Sequence, residues 1–381
     1  MRDNPEVICY CTILLLACVP LFGQQYTITT IAGNGISGVI LSNPTSVAVD
    51  LAGDLYVGDW SGLVRKVWVR YGSTTTIAGT GILGYSGDGG PGASAMVGRA
   101  VILALDLTGN LFIADGDNNR IRRVDASTGI ITTVAGSGSG TDSGDGGPAV
   151  DAGVSGPTGV TIDRAGDLYF SSSWTRIRKL TARTGMIETI AGQFLSGSSG
   201  DGGMAIDALF WDPVPSAISR NGDLYIADFE NSRIRMIAPK PLVVTTVAGS
   251  GTCIPSPAPL DISVCHSGFA GDGGLAASAT LNYPESVALD PNGNLYIADT
   301  INHRIRRIDS STGVISTIAG TGVEGFTGDG GPALAAKIGD PVGITVDTSG
   351  KVYFADESNN RIRMLTPSGP QPAHLPESPR H

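Results

Sequence analysis

The chain has 381 residues, of which 41% are hydrophobic and 16% charged, with a formal net charge of −10. A balance this acidic repels phosphate backbones and anionic lipid heads, so nucleic acid is excluded as a natural partner. The apolar content excludes a disordered chain, and 54 glycines with 22 prolines suit many short strands joined by tight turns, since glycine takes positive φ cheaply.

At the start, residues 7–22 form an apolar run behind Arg2, too short to cross a bilayer comfortably and placed where the h-region of an export signal belongs. We read residues 1–23 as a signal peptide. A second reading, from Leu15-Leu16-Ala17-Cys18, is a lipoprotein signal to residue 17 with anchoring through Cys18. Both place the protein outside the cytoplasm, secreted or in the periplasm or cell envelope, with no transmembrane segment once the signal is removed. Loss of Arg2, Asp3 and Glu6 takes the charge from −10 to −9, so the mature chain stays acidic.

Three of the five cysteines lie in this segment, which leaves Cys253 and Cys265. In an oxidising compartment they allow one disulfide around a loop of about a dozen residues, stabilising by roughly 3 kcal/mol. The alternative is two unpaired thiols.

From residue 24 onward the chain repeats. The glycines before Leu-Tyr and its variants are Gly53, Gly109, Gly166, Gly222, Gly293 and Gly350, with steps of 56, 57, 56, 71 and 57. The long step holds a 14-residue insertion around the two cysteines, rich in proline (Pro255, Pro257, Pro259). Each unit reads as four strands. Strand A follows a proline, as in Pro44-Thr-Ser-Val-Ala-Val; strand B is Leu-Tyr-Ile-Ala-Asp; strand C is Arg-Ile-Arg-Arg-Val/Ile; strand D is Thr-Thr-Ile/Val-Ala-Gly.

The ends decide the closure. The chain begins with an orphan strand D at residues 27–33 and stops after a strand C at residues 361–365, so the first completes the last. Pairing them removes the open edge of a linear array. The expectation is an all-β, six-bladed β-propeller of four-stranded antiparallel blades over residues 24–366, followed by a disordered proline-rich tail at 367–381.

The residues Pro-x-x-Val-x-x-Asp-x-x-Gly-Asn-Leu-Tyr-Ile-Ala-Asp-x-x-Asn-x-Arg-Ile-Arg, six times in phase from Thr27 to about Thr366, resemble the NHL-repeat family. The Gly-Asp-Gly-Gly-Pro-Ala segments between units resemble those of bacterial secreted NHL proteins. The resemblance implies a propeller used for binding, with the ligand on the face where the B–C and D–A loops gather.

The motifs within the repeat read mostly as scaffold. Gly33-Asn-Gly35-Ile-Ser-Gly38, Gly79-Thr-Gly81-Ile-Leu-Gly84 and Gly320-Thr-Gly322-Val-Glu-Gly325 match a dinucleotide fingerprint, but none is expected to open a helix, so no helix N-terminus receives a pyrophosphate. The Gly-Asp-Gly-Gly acids Asp88, Asp145, Asp201, Asp272 and Asp329 offer one carboxylate per loop, far short of a calcium shell. They are expected to cap their loops through backbone N–H groups.

The strand-B acids Asp59, Asp115, Asp228, Asp299 and Asp356 recur with an arginine five positions on at Arg120, Arg233, Arg304 and Arg361. A repeated pair reads as structure, with the carboxylate taking hydrogen bonds from turn amides or from that arginine.

The irregular positions are the candidates for a site. Unit 3 has Ser172 in place of the Asp, with Trp174 in its B–C turn; unit 1 has Leu63 in place of the Arg, with Trp60. Trp211 and Phe229 share the same face, and Glu285 is the only charged residue among the strand-A entrances to the channel. These five residues form the expected ligand-binding surface, reading a protein, peptide or glycan by stacking.

Four histidines, two of them in the tail, cannot build the three-His zinc site of the amidating lyases that resemble this chain. No catalytic residue, metal or cofactor is expected. The leading expectation is a monomeric, non-enzymatic binding scaffold. The alternative is a lyase or lactonase-like hydrolase working in the central channel.

Overall fold

The computed structural model describes residues 25–33, 41–251 and 268–369. Six four-stranded antiparallel sheets are arranged as blades around a central channel, as the repeat predicts. Blades 1 to 5 run in simple A-B-C-D order, from Pro44–Val49 as the inner strand of blade 1 to Ile315–Ala319 as the outer strand of blade 5. Blade 6 takes its inner three strands from Pro341–Val346, Val352–Asp356 and Arg361–Ser368, and its outer strand from Gln25–Ala32.

The clasp is longer than the repeat alone suggests. Tyr26 pairs with Pro367 and Gln25 with Ser368, so the last strand runs on through two residues assigned above to the tail. The expected signal segment, Cys18, the Cys253–Cys265 pair and residues 370–381 lie outside the described residues.

Strand alternation builds the core. Leu55 and Val57, Leu111 and Ile113, Leu168 and Phe170, Leu224 and Ile226, Leu295 and Ile297, and Val352 and Phe354 are all buried from strand B. Each blade packs both faces against neighbours, so burial extends to both sides of the sheets. The largest fully buried side chains are polar: Arg122, Arg178, Arg235, Arg306 and Arg363.

The turns follow local chemistry. In the four regular B–C turns a 3-10 turn such as Gly116–Asn118 ends on a left-handed residue: Asn119, Ser232, His303 or Asn360. Gly79 shows why glycine closes strand D, because a Cβ there would lie 1.9 Å from the Gly62 carbonyl oxygen. Only the one-turn 3-10 segment Gly92–Ser94, and no α-helix, follows this glycine loop. Among the described residues no helix is long and apolar enough to cross a membrane.

Candidate functional site

The repeated acids come first, because they hold the loops that carry the irregular residues. Asp115, Asp228, Asp299 and Asp356 are fully buried. Each accepts a hydrogen bond from a D–A loop amide 17 positions earlier, as Asp228 does from Trp211 N at 2.9 Å and Asp299 from Asn282 N at 2.8 Å. A turn asparagine adds a second, Asn231 to Asp228 at 2.8 Å. The carboxylate thus locks a B–C turn to the loop beside it.

Its arginine is not the one five positions on. The partner lies seven on: Arg306 to Asp299 at 3.0 Å, Arg235 to Asp228 at 3.2 Å, and Arg363 to Asp356 at 3.4 Å. The same arginine reaches the Gly-Asp-Gly-Gly acid, as Arg306 reaches Asp272 at 2.9 Å and Arg363 reaches Asp329 at 2.8 Å. Those acids therefore hold a buried guanidinium in addition to the expected backbone amide, such as Thr133 N on Asp88 at 2.9 Å.

Burial explains the correction, because the two arginines lie two apart on strand C and share one face, and only the farther one is fully buried. The nearer arginine points to the loop surface, where Arg120, Arg304 and Arg361 stack on Tyr85, Phe269 and Phe326, each 3.7 Å from the ring centre. Arg233, with no such aromatic, donates to the Ser198 carbonyl at 3.1 Å.

The two irregular blades have their own solutions. In blade 1 Arg65 bonds directly to Asp59. In blade 3 the missing carboxylate comes from Asp142, which accepts a hydrogen bond from Ser172 Oγ and lies 3.5 Å from Arg176. Asp142 sits three residues before Asp145, the position that Tyr85, Phe269 and Phe326 hold in other blades. Sequence spacing contained this signal, but only a comparison of loop positions reveals it.

The structure brings most of the expected site residues together. Asp212 N donates to the Trp174 carbonyl at 2.7 Å and Glu230 N to the Trp211 carbonyl at 3.2 Å, which joins blades 3 and 4. Phe229 packs edge-on against Tyr283 at 5.1 Å, which brings in blade 5. Trp60, Trp174 and Trp211 are 51%, 57% and 39% exposed, so their rings are presented to solvent. Trp60 stands apart, in blade 1, with the Arg99 guanidinium 5.8 Å from its ring.

Glu285 occupies a β-bulge of its strand, since pairing jumps from Pro284 to Ser286. It lies two residues before Val287, which with Val47, Val160 and Ile344 belongs to the six inner strands lining a channel of about 220 Å³. Burial pushes its carboxyl up to about 8, with the charges of Glu357, Asp212 and Asp340 adding to the effect. Burial and Asp340 raise Glu357 to about 7, and burial and Glu230 raise Asp212 to about 6.

The strand-A positions alone leave this mouth nearly neutral, with Glu285 their one charged residue. The acids that gather here come from the loops: Asp212 and Asp340 directly before the strand-A proline, and Glu357 opening a B–C turn. Beside them, His303 Nδ1 lies 2.9 Å from the Gly339 carbonyl and 3.3 Å from Asp340.

The family model of the Teneurin NHL domain matches residues 258–325. Teneurin-4 of Mus musculus is 29% identical over 388 residues, covering 91% of this chain and 13% of its own length. The chain thus spans a small part of the curated relatives it matches. Among solved structures, an auxiliary nutrient binding protein from Bacteroides thetaiotaomicron has a TM-score of 0.62 at 16% identity, covering 90% of this chain and 77% of that one. A streptogramin B lyase has a TM-score of 0.54 at 15% identity, covering 90% and 98%. These likenesses show the fold.

Proposed function

We propose, from the premise that the chain is an NHL-repeat β-propeller, that it is an exported binding scaffold taking a peptide, protein or glycan on its B–C/D–A loop face. One observation carries this reading: Trp174, Trp211, Phe229 and Tyr283 cluster beside a channel mouth that holds Glu285, Asp212 and Glu357. Exposed rings supply stacking area, and a partly buried carboxylate gives a polar group to align against it. The fold likeness to a nutrient binding protein agrees with a binding role.

The test is an array of peptides and glycans probed with the wild-type chain, Trp174→Gly and Glu285→Gln. A ligand class bound by the wild type and lost in both variants, with melting temperature held, supports the reading. Binding that both variants retain overturns it.

A second reading is favoured by His303. With Nδ1 donating to Gly339 and Asp340, Nε2 becomes the basic nitrogen, and raised carboxyls at Glu285 and Glu357 lie on the same mouth. That arrangement suits proton transfer in an elimination, and a streptogramin B lyase shares the fold. Turnover lost in His303→Gln would support it, and binding of the same compound without turnover would return the site to the first reading.

A further inference from the structure

In five of the six blades the outer edge of strand D is already covered. Ile131 exchanges two backbone hydrogen bonds with the Gly-Asp-Gly-Gly segment of the preceding loop, Gly89 N to its carbonyl at 2.9 Å and its own N–H to Gly90 at 3.0 Å. Ile187, Val244, Ile315 and Ile28 repeat both bonds with the corresponding segments. All five side chains are buried.

The register places Thr74 at this position in blade 1, because Val64 pairs with Ala78 as Ile121 pairs with Ala135. Thr74 is exposed, and among the described residues no backbone group bonds to the outer edge of its strand, Ser73–Ala78. Chain length agrees with this. From Gly79 the loop takes 10 residues out to Gly89 and 8 on to Val97, whereas Gly33 to the equivalent Leu41 is 8 in all, too few for both stretches. A threonine stands where every covered blade has isoleucine or valine.

This edge lacks the usual defences. Residues 72–87 contain no Lys, Arg, Asp, Glu or Pro, the residues that block strand addition at an exposed edge. We propose that the edge pairs antiparallel with the same edge of a second copy about a two-fold axis, joining two blades into one eight-stranded sheet.

Charge favours a second copy as the occupant. In a chain of net charge −10, this stretch lets two molecules meet with no like charges opposed. A two-fold also sets Ser73–Thr76 against its own equivalent, and Thr–Thr cross-strand pairs are favourable. One strand pair buries far less than the ~1,000 Å² of a stable interface, so the dimer is weak and concentration-dependent.

Sedimentation velocity of the whole chain, from micromolar to near-millimolar protein, tests this independently of the loop face. A rising sedimentation coefficient is expected for the wild type and for Thr74→Val, which copies Val244. Thr74→Pro removes the outward N–H, and Thr74→Lys sets like charges across the two-fold. Each should weaken association at least tenfold, and the lysine variant covers the case in which the proline variant does not fold. A wild-type monomer across the range overturns the proposal. So does a dimer unchanged in both disrupting variants, or a monomer whose edge binds only an unrelated extended peptide.

Discussion

Arg306 meets Asp299 at 3.0 Å with both side chains fully buried, and its other terminal nitrogen meets Asp272 at 2.9 Å. One guanidinium therefore ties a B–C turn, a D–A loop and strand C together. Removing Asp299 strands part of that charge in the core, and breaking a buried pair costs about 3–5 kcal/mol. Asp299→Ala should lower the urea midpoint accordingly. Arg304→Ala should cost only about 1 kcal/mol, because that cation stacks on Phe269 at the loop surface. Equal losses in the two variants would refute the assignment of the structural role to the more distant arginine.

The channel mouth should make stability depend on pH. Glu285 is raised from its ordinary 4.5 to about 8, so folding favours its protonated form. The resulting stability is fully present below the ordinary value and is lost as pH rises through the folded value. Glu357, raised to about 7, adds in the same direction. Melting temperature should fall between mildly acidic and mildly alkaline buffer, and Glu285→Gln should flatten that fall. A slope unchanged in the variant would mean that another group controls it.

The sequence made the fold legible because each unit repeats both its strand alternation and its turn residues. The orphan strand at residues 27–33 even disclosed the closure. The site was less legible, for two reasons. Asp212, Asp340 and Glu357 belong to three different loops, and only the packing of the consecutive blades 4, 5 and 6 brings them to Glu285. Likewise Asp142 serves blade 3 from 30 positions before Ser172, which local spacing does not reveal. The arginine assignment failed because two arginines two residues apart share a strand face, and only burial separates Arg306 from Arg304.

The clasp should be the most sensitive part of the ring. Gln25–Ala32 pairs with Arg361–Ser368 along nearly its whole length, and Ile28 also holds the Gly330–Gly331 segment through two backbone bonds. Deleting residues 25–33 exposes both the blade edge and the covering loop. The loss should be several kcal/mol out of the ~5–15 typical of a folded domain, with aggregation at the new edge. Unchanged thermal melting of the truncated chain would refute the clasp.

Trp174 allows binding to be separated from packing. Its backbone is left-handed, φ 61°, directly after Ser173 at φ 54°, a conformation that costs a side-chain-bearing residue roughly 1–2 kcal/mol. The ring is 57% exposed, so little burial is lost with it, and the carbonyl that holds Asp212 remains in any variant. Glycine relieves the strain but gains freedom in the unfolded chain, and the two effects oppose each other. Trp174→Gly should therefore melt at or above Trp174→Ala, within a few degrees of the wild type. Both variants lose the ring, and both should weaken ligand binding to the loop face tenfold or more, as for an exposed aromatic hot spot. If binding persists while the glycine variant loses stability, the ring is loop packing and the face must bind through Trp211 and Phe229 instead.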